Sequence, residues 1–138
     1  MDIDARGPRF GAAVTTVVLA VVLITGSAWL LAWQTLAFAL GAAGGVARSP
    51  YGWLFRKAVR PRIGPPTEFE APEPPRFAQA VGFAFAAVGL IGYGAGPEWL
   101  GLAATGAALA AAFLNAAFGY CLGCEMYLLV RRLTVRAE

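Results

Sequence analysis

Uncharged, apolar runs recur four times along the chain, at Phe10 to Thr25, Ala28 to Val46, Phe77 to Tyr93 and Trp99 to Tyr120, with the charged residues gathered between and around them. The runs hold 16 to 22 residues. At about 1.5 Å rise per residue, even the shortest nearly crosses the ~30 Å hydrocarbon layer of a bilayer as an α-helix. Each run therefore predicts a spanning helix. Only Gly26-Ser27 parts the first two and only Gly94 to Glu98 the last two, where glycine permits tight reversal and Pro97 suits a helix start, so the spans form two hairpins. The pattern predicts an all-α integral membrane fold with four transmembrane helices in two tandem hairpins. Short interfacial amphipathic helices are expected at Tyr51 to Arg60 and at Met126 to Arg136.

The segment between the hairpins holds seven of the nine prolines, from Pro50 to Pro75. Prolines lack the amide donor and bias their predecessors toward extended conformations, so residues 61–74 read as a cytoplasmic linker. This divides a single membrane domain, 1–138, into a first hairpin repeat with its interfacial segment (1–60), the linker, and a second hairpin with the cysteines and the C-terminal amphipathic helix (75–138).

Composition agrees with the lipid reading: 59% of residues are hydrophobic and 14% charged, too few to cover a water-soluble globule. Charge sets orientation. All eleven basic residues precede the first run, lie between the hairpins or follow the last run, while the two short turns carry only Glu98. The positive-inside rule then puts both termini and the central loop in the cytoplasm of a bacterial cell. Trp29, Trp33, Trp99 and Tyr93 are expected at the outer interface, and Tyr51, Trp53, Tyr120 and Tyr127 at the inner one. A signal peptide over the first run would still leave three spans. Nucleic acid is not an expected partner: the basic loop has neither recognition helix nor aromatic ladder. Arg56, Lys57, Arg60 and Arg62 are instead candidates for contact with lipid headgroups or a protein partner.

The two halves repeat in order. Pro8-Arg9-Phe10 recurs as Pro75-Arg76-Phe77, and Trp29-Leu30 as Trp99-Leu100; past the second helix of each hairpin, Ser49 aligns with Cys121, Gly52 with Cys124, Phe55 with Tyr127 and Arg60 with Arg132. Because each half has an even number of spans, the repeats run parallel, about a pseudo-twofold axis along the membrane normal.

Cys121 and Cys124 are the only cysteines, and there is no histidine. The first half turns the same corner with serine and glycine, so geometry alone does not demand sulfur. In the reducing cytoplasm a permanent disulfide is disfavoured, whereas a transient disulfide or persulfide fits. A helix start supplies amides that lower a thiol pKa, making Cys121 the candidate nucleophile and Cys124 the resolving thiol, with Glu125 a possible proton acceptor. A closed zinc site wants four ligands, which one copy does not offer; a homo-oligomer would be needed to supply four sulfurs, and no metal or other cofactor is expected. Within the runs no acid, lysine or histidine occurs, so a proton relay has no visible machinery. Asn115 is the candidate substrate contact, or an interhelical hydrogen bond. Gly82, Gly89 and the alanines 103, 104, 107, 108 and 111 are expected to mark close helix contacts rather than a channel lining.

Arg6-Gly-Pro-Arg-Phe10, Ser49-Pro-Tyr-Gly52, Arg60 to Pro66, Pro75 to Gln79 and Asn115 to Tyr127 together resemble the small actinobacterial membrane proteins grouped as domain of unknown function 4395. The resemblance implies a four-span protein, often encoded beside thioredoxin-like and sulfurtransferase proteins. It supplies no catalytic residue. The closing Gly-x-Cys segment is also similar to membrane hairpins fused to rhodanese domains. The leading expectation is thiol redox or sulfane-sulfur exchange at Cys121 and Cys124 with a thioredoxin-like or rhodanese-type cytoplasmic partner. A non-catalytic membrane scaffold and a transporter of thiosulfate or related sulfur species are the alternatives.

Overall fold

The structure, a computed structural model, describes residues 3–45, 48–65 and 69–137. The end of the second expected run (Val46) and part of the expected linker (66–68) lie outside these residues.

Where the apolar runs stop, glycine or a capped turn stops the helix. α1 (Arg6–Thr25) ends at Gly26, whose left-handed φ of 67° lets its amide donate to the Val22 carbonyl at 2.7 Å. At the next residue the Ser27 hydroxyl accepts from the Leu30 amide and starts α2 (Ala28–Gly44). After Arg48 a helical segment runs through α3 (Pro50–Leu54), a π-helical turn (Phe55–Val59) and α4 (Arg60–Ile63). α5 (Glu73–Ala95) opens with prolines in its first turn, α6 (Glu98–Phe118) follows Pro97, and α7 (Leu122–Ala137) closes the chain.

Three of these helices, α1, α5 and α6, are long and apolar enough to cross a membrane; α2 is equally apolar but has 17 residues. The expectation of four membrane-length helices is thus met by three. α2 falls short because Gly44 and Gly45 end it early, Gly45 at φ 92°. The expected linker, residues 61–74, is partly structured. It begins inside α4, pairs β2 (Phe69–Glu70) antiparallel with β1 (Ile3–Asp4), and from Glu73 is already helical. Prolines block a helix interior but are tolerated in a first turn, where amides have no intrahelical acceptor.

The helices pair across the hairpins as much as within them. α1 packs along α6, α2 along α5, and α5 along α6, while α1 and α2 touch much less. The core lies at the centre of this ring, where Leu19, Val22, Leu31, Phe38 and Ala86 are buried together. Glycine makes the approaches: Gly92 sets its backbone against that of Gly101, so a Cβ there would overlap it, and Gly82 receives the ring of Phe38.

Two arginines tie the hairpins together. Arg76 on α5 donates to the carbonyls of Ala42 (2.6 Å) and Ala43 (2.5 Å), while Arg9 on α1 donates to that of Ala116 at 3.3 Å. Each cation thus meets the negative, carbonyl-bearing end of a second helix in the other hairpin. The following aromatic turns back on its own half: Phe10 meets Phe55, and Phe77 meets Tyr127, both at 5.7 Å between ring centres.

The expected aromatic belts hold only in part. Trp29 and Trp99 are exposed, but Trp33 and Tyr51, expected at opposite faces, touch. The Trp33 indole donates to the Tyr51 hydroxyl at 3.1 Å, and that hydroxyl donates to Gln34 Oε1 at 2.6 Å. Gln34, 1% exposed, in turn donates to Thr15. Polar groups buried here need partners, and α3 turns into the bundle to provide one. At the chain start, Arg6 binds the Asp4 carboxylate at 2.9 Å and the Gly64 carbonyl at 2.9 Å, holding the end of α4. The hydrogen bond from Arg6 keeps the Asp4 carboxyl below the usual carboxylate range.

Candidate functional site: a disulfide between a cavity and a groove

α6 stops at Gly119, which has φ 69° and donates its amide to the Asn115 carbonyl at 3.0 Å. Two residues on, Cys121 begins a new helix. The expected amphipathic helix from Met126 starts earlier, at Leu122, so Cys121 sits just before it and Cys124 and Glu125 in its first turn. The Cys124 amide donates to Cys121 Sγ at 3.1 Å, and the Glu125 amide to the Cys121 carbonyl at 3.0 Å. Cys121 therefore occupies the capping position, as Ser49 does for α3, where the Ser49 hydroxyl accepts from the Gly52 amide at 3.0 Å.

Cys121 and Cys124 are joined in a disulfide. It stands between two hollows. On one side lies a cavity of about 520 Å³ walled by the first turns of α1, the first half of α5, the second half of α6 and the start of α7. On the other is a groove of about 250 Å³ between the start of α5 and the start of α7, bordered by Pro74, Tyr120, Glu125 and Leu128. Both cysteines line both spaces.

Of the sequence-predicted site residues, the structure brings together Cys121, Cys124 and Asn115 at the cavity, and Cys121, Cys124 and Glu125 at the groove. Arg56, Lys57, Arg60 and Arg62 line neither; they lie on the π-helical turn and α4, where Arg60 approaches Asp4 at 4.0 Å. Gly82 and Gly89 do make close helix contacts, against Phe38 and against Thr105 and Leu31, while Gly82 and the alanines 107, 108 and 111, with Ala112, also line the cavity. Small side chains on facing helices leave space wherever a bundle cannot contract to fill it.

Two lining residues were not singled out from sequence. Arg9 is the one charged side chain among the described residues of the cavity wall, and Gln79 faces the same space. Neither the Gln79 nor the Asn115 carboxamide has a hydrogen bond among the described residues. A polar side chain within an apolar run, lacking the partner that Gln34 finds in Tyr51, was the available signal.

The fold and this site define a small, nearly all-helical protein, with three helices of membrane-crossing length and a Cys-x-x-Cys disulfide beside a cavity at one end of the bundle. Residues 3–132 match the family described as Domain of unknown function (DUF4395), and the chain belongs to it. No curated protein and no solved structure matches the chain.

Proposed function

We propose that this chain is an integral protein of the bacterial cytoplasmic membrane, in which Cys121 and Cys124 exchange thiol and disulfide with a soluble thioredoxin-like or rhodanese-type protein at the inner face. In this reading α2 is a fourth span. Its 17 residues cover about 25 Å, with α3 turning inward beneath it. Both termini lie inside because Arg9, Arg76 and the basic segment cluster at one end of the bundle, the end that carries the disulfide.

The parallel repeat is part of the proposal. Its supports are matched contacts: Arg9 and Arg76 on opposite second helices, Phe10 to Phe55 and Phe77 to Tyr127, Ser49 and Cys121 as caps. Since serine caps the corner in one half, and oxygen is a better acceptor than sulfur, the cysteines are retained for their chemistry.

One observation carries the reading: the disulfide is reachable from a groove open at the basic end. A partner thiol gives its proton to Glu125 in the groove, and the resulting thiolate attacks Cys121 Sγ, forming a mixed disulfide as the Cys124 sulfur leaves with its electron pair. The partner's second thiol then displaces Cys121 as a thiolate, which the amides at the start of α7 stabilise. The partner ends oxidised and the pair reduced. Every step is reversible.

Acid quenching of cells followed by alkylation tests this. The wild-type pair should divide between disulfide and dithiol, and Cys124→Ser should accumulate a reductant-sensitive adduct through Cys121. A pair that is fully reduced under all conditions, with no adduct on the variant, refutes the reading.

A further inference from the structure

The groove accounts for one side of the disulfide; the cavity on the other side has no role in exchange with a soluble partner. We infer that it is the binding site of a lipid-soluble quinone, which takes up the two electrons and two protons of the reduced pair. This inference rests on the exchange reading above.

Size and lining both fit. A volume of about 520 Å³ lies within the range of small-ligand sites, and most of the wall is alanine, glycine and aromatic or aliphatic carbon. Arg9, Gln79 and Asn115, which all carry N–H donors, line it, and the last two carboxamides have no hydrogen bond among the described residues. Carbonyl oxygens are what such donors satisfy. The rim is apolar: Phe85, Leu122 and Met126 line the cavity and are 42%, 36% and 46% exposed. In a bilayer those side chains face acyl chains, so a ligand dissolved in lipid reaches the cavity without crossing water.

The repeat shows why the space exists. With the halves aligned, Phe38 corresponds to Ala108 and Tyr51 to Gly123. In the first half, Phe38 fills the hollow against Gly82, and Tyr51 closes the polar network with Gln34 and Trp33. In the second half Ala108 stands in place of the ring, while Gly123 seats directly on Ala78, and Asn115 lines the cavity. The space beside Ala108 runs on to the disulfide, since Ala108, Cys121 and Cys124 line one cavity.

The chemistry balances without further groups. Two S–H bonds break, one S–S bond forms, and the two electrons and two protons convert the quinone's two carbonyls to the two hydroxyls of a hydroquinone. Because the thiols bring their own protons, no acidic relay is required. None is found: the described lining contains no carboxylate, lysine or histidine.

The test uses the purified full-length chain in lipid nanodiscs, reduced and freed of reductant. Ubiquinone-1 is the probe, because its ring is fully substituted and offers thiols no open C–H position for addition. Expected is loss of quinone absorbance at one quinone per two thiols, at a rate at least tenfold above Cys121→Ser. Ala112→Phe, which puts a ring into the cavity, should lower the wild-type rate at least tenfold. If the wild-type pair is reduced by soluble dithiols and oxidised by soluble disulfides but reduces ubiquinone-1 no faster than Cys121→Ser, the quinone inference is overturned and the exchange reading stands. A pair that exchanges with no soluble dithiol overturns the exchange reading itself.

Discussion

Replacing Cys121 and Cys124 together by serine separates the disulfide's structural contribution from its chemistry. The ring it closes is short, with its cysteines three positions apart. In the chain-entropy description, cross-linking so few residues removes little freedom from the unfolded chain, and a loop of this size contributes about 2 kcal/mol. Serine at 121 returns part of that. Its hydroxyl can accept the amide of residue 124 as the Ser49 hydroxyl accepts that of Gly52, and a serine cap is worth about 1 kcal/mol over a residue that cannot cap. The packing of α7 on α5, through Phe77 and Tyr127 and the close seat of Gly123 on Ala78, is untouched. The double variant should therefore lose only about 1 to 2 kcal/mol while losing all thiol exchange. Unfolding in mixed micelles with increasing SDS, run beside acid-quenched alkylation in cells, reads both quantities. A stability loss beyond about 4 kcal/mol would show that the pair is a structural staple and that its placement needs no redox explanation.

The network inside the first hairpin gives a second measurement. Tyr51→Phe leaves the Trp33 indole and the buried Gln34 amide each short of one partner and should cost about 1 to 3 kcal/mol in SDS unfolding, toward the lower end in a bilayer. Adding Gln34→Leu should recover part of the loss, since removing both partners is cheaper than stranding one; an unaffected single variant would contradict the network. At the chain start, the lowered Asp4 carboxyl adds stability that is complete above its unfolded value, near pH ~3.9, and is lost as pH falls through the lower folded value. Hydrogen exchange corrected for intrinsic rates should therefore show the β1–β2 pair and residues 60–65 protected at pH 6 and opening in strong acid. Asp4→Asn should show that opening at pH 6 already; equal protection in variant and wild type would argue against the latch.

Much of the scaffold was legible because it is encoded locally. The uncharged runs and the Gly26-Ser27 break between the first two show where helices lie and turn, and these depend on a few neighbouring residues. Contiguity of basic residues likewise fixed which ends belong together, and the spacing of Cys121 and Cys124 fixed that a short disulfide was possible. The shortfall of α2 was less legible, since hydropathy continues through Gly44 and Gly45 although the helix does not. The position of the cysteines at a helix start was anticipated; the register was not, because the amphipathic pattern of α7 becomes visible only past the motif.

What the sequence by itself determined, then, was where the apolar helices run, that the basic residues lie outside them, and the presence of a Cys-x-x-Cys pair. Tertiary structure alone decided that α1 lies on α6 and α2 on α5, that Tyr51 reaches Trp33, and that Arg9, Gln79 and Asn115 meet at one hollow beside the cysteines. The reason is physical. Helix formation follows hydrogen bonds four residues apart, but in an apolar bundle partner choice follows close packing of small residues summed along whole faces, and a cavity is the place where facing residues far apart in sequence are all too small to meet.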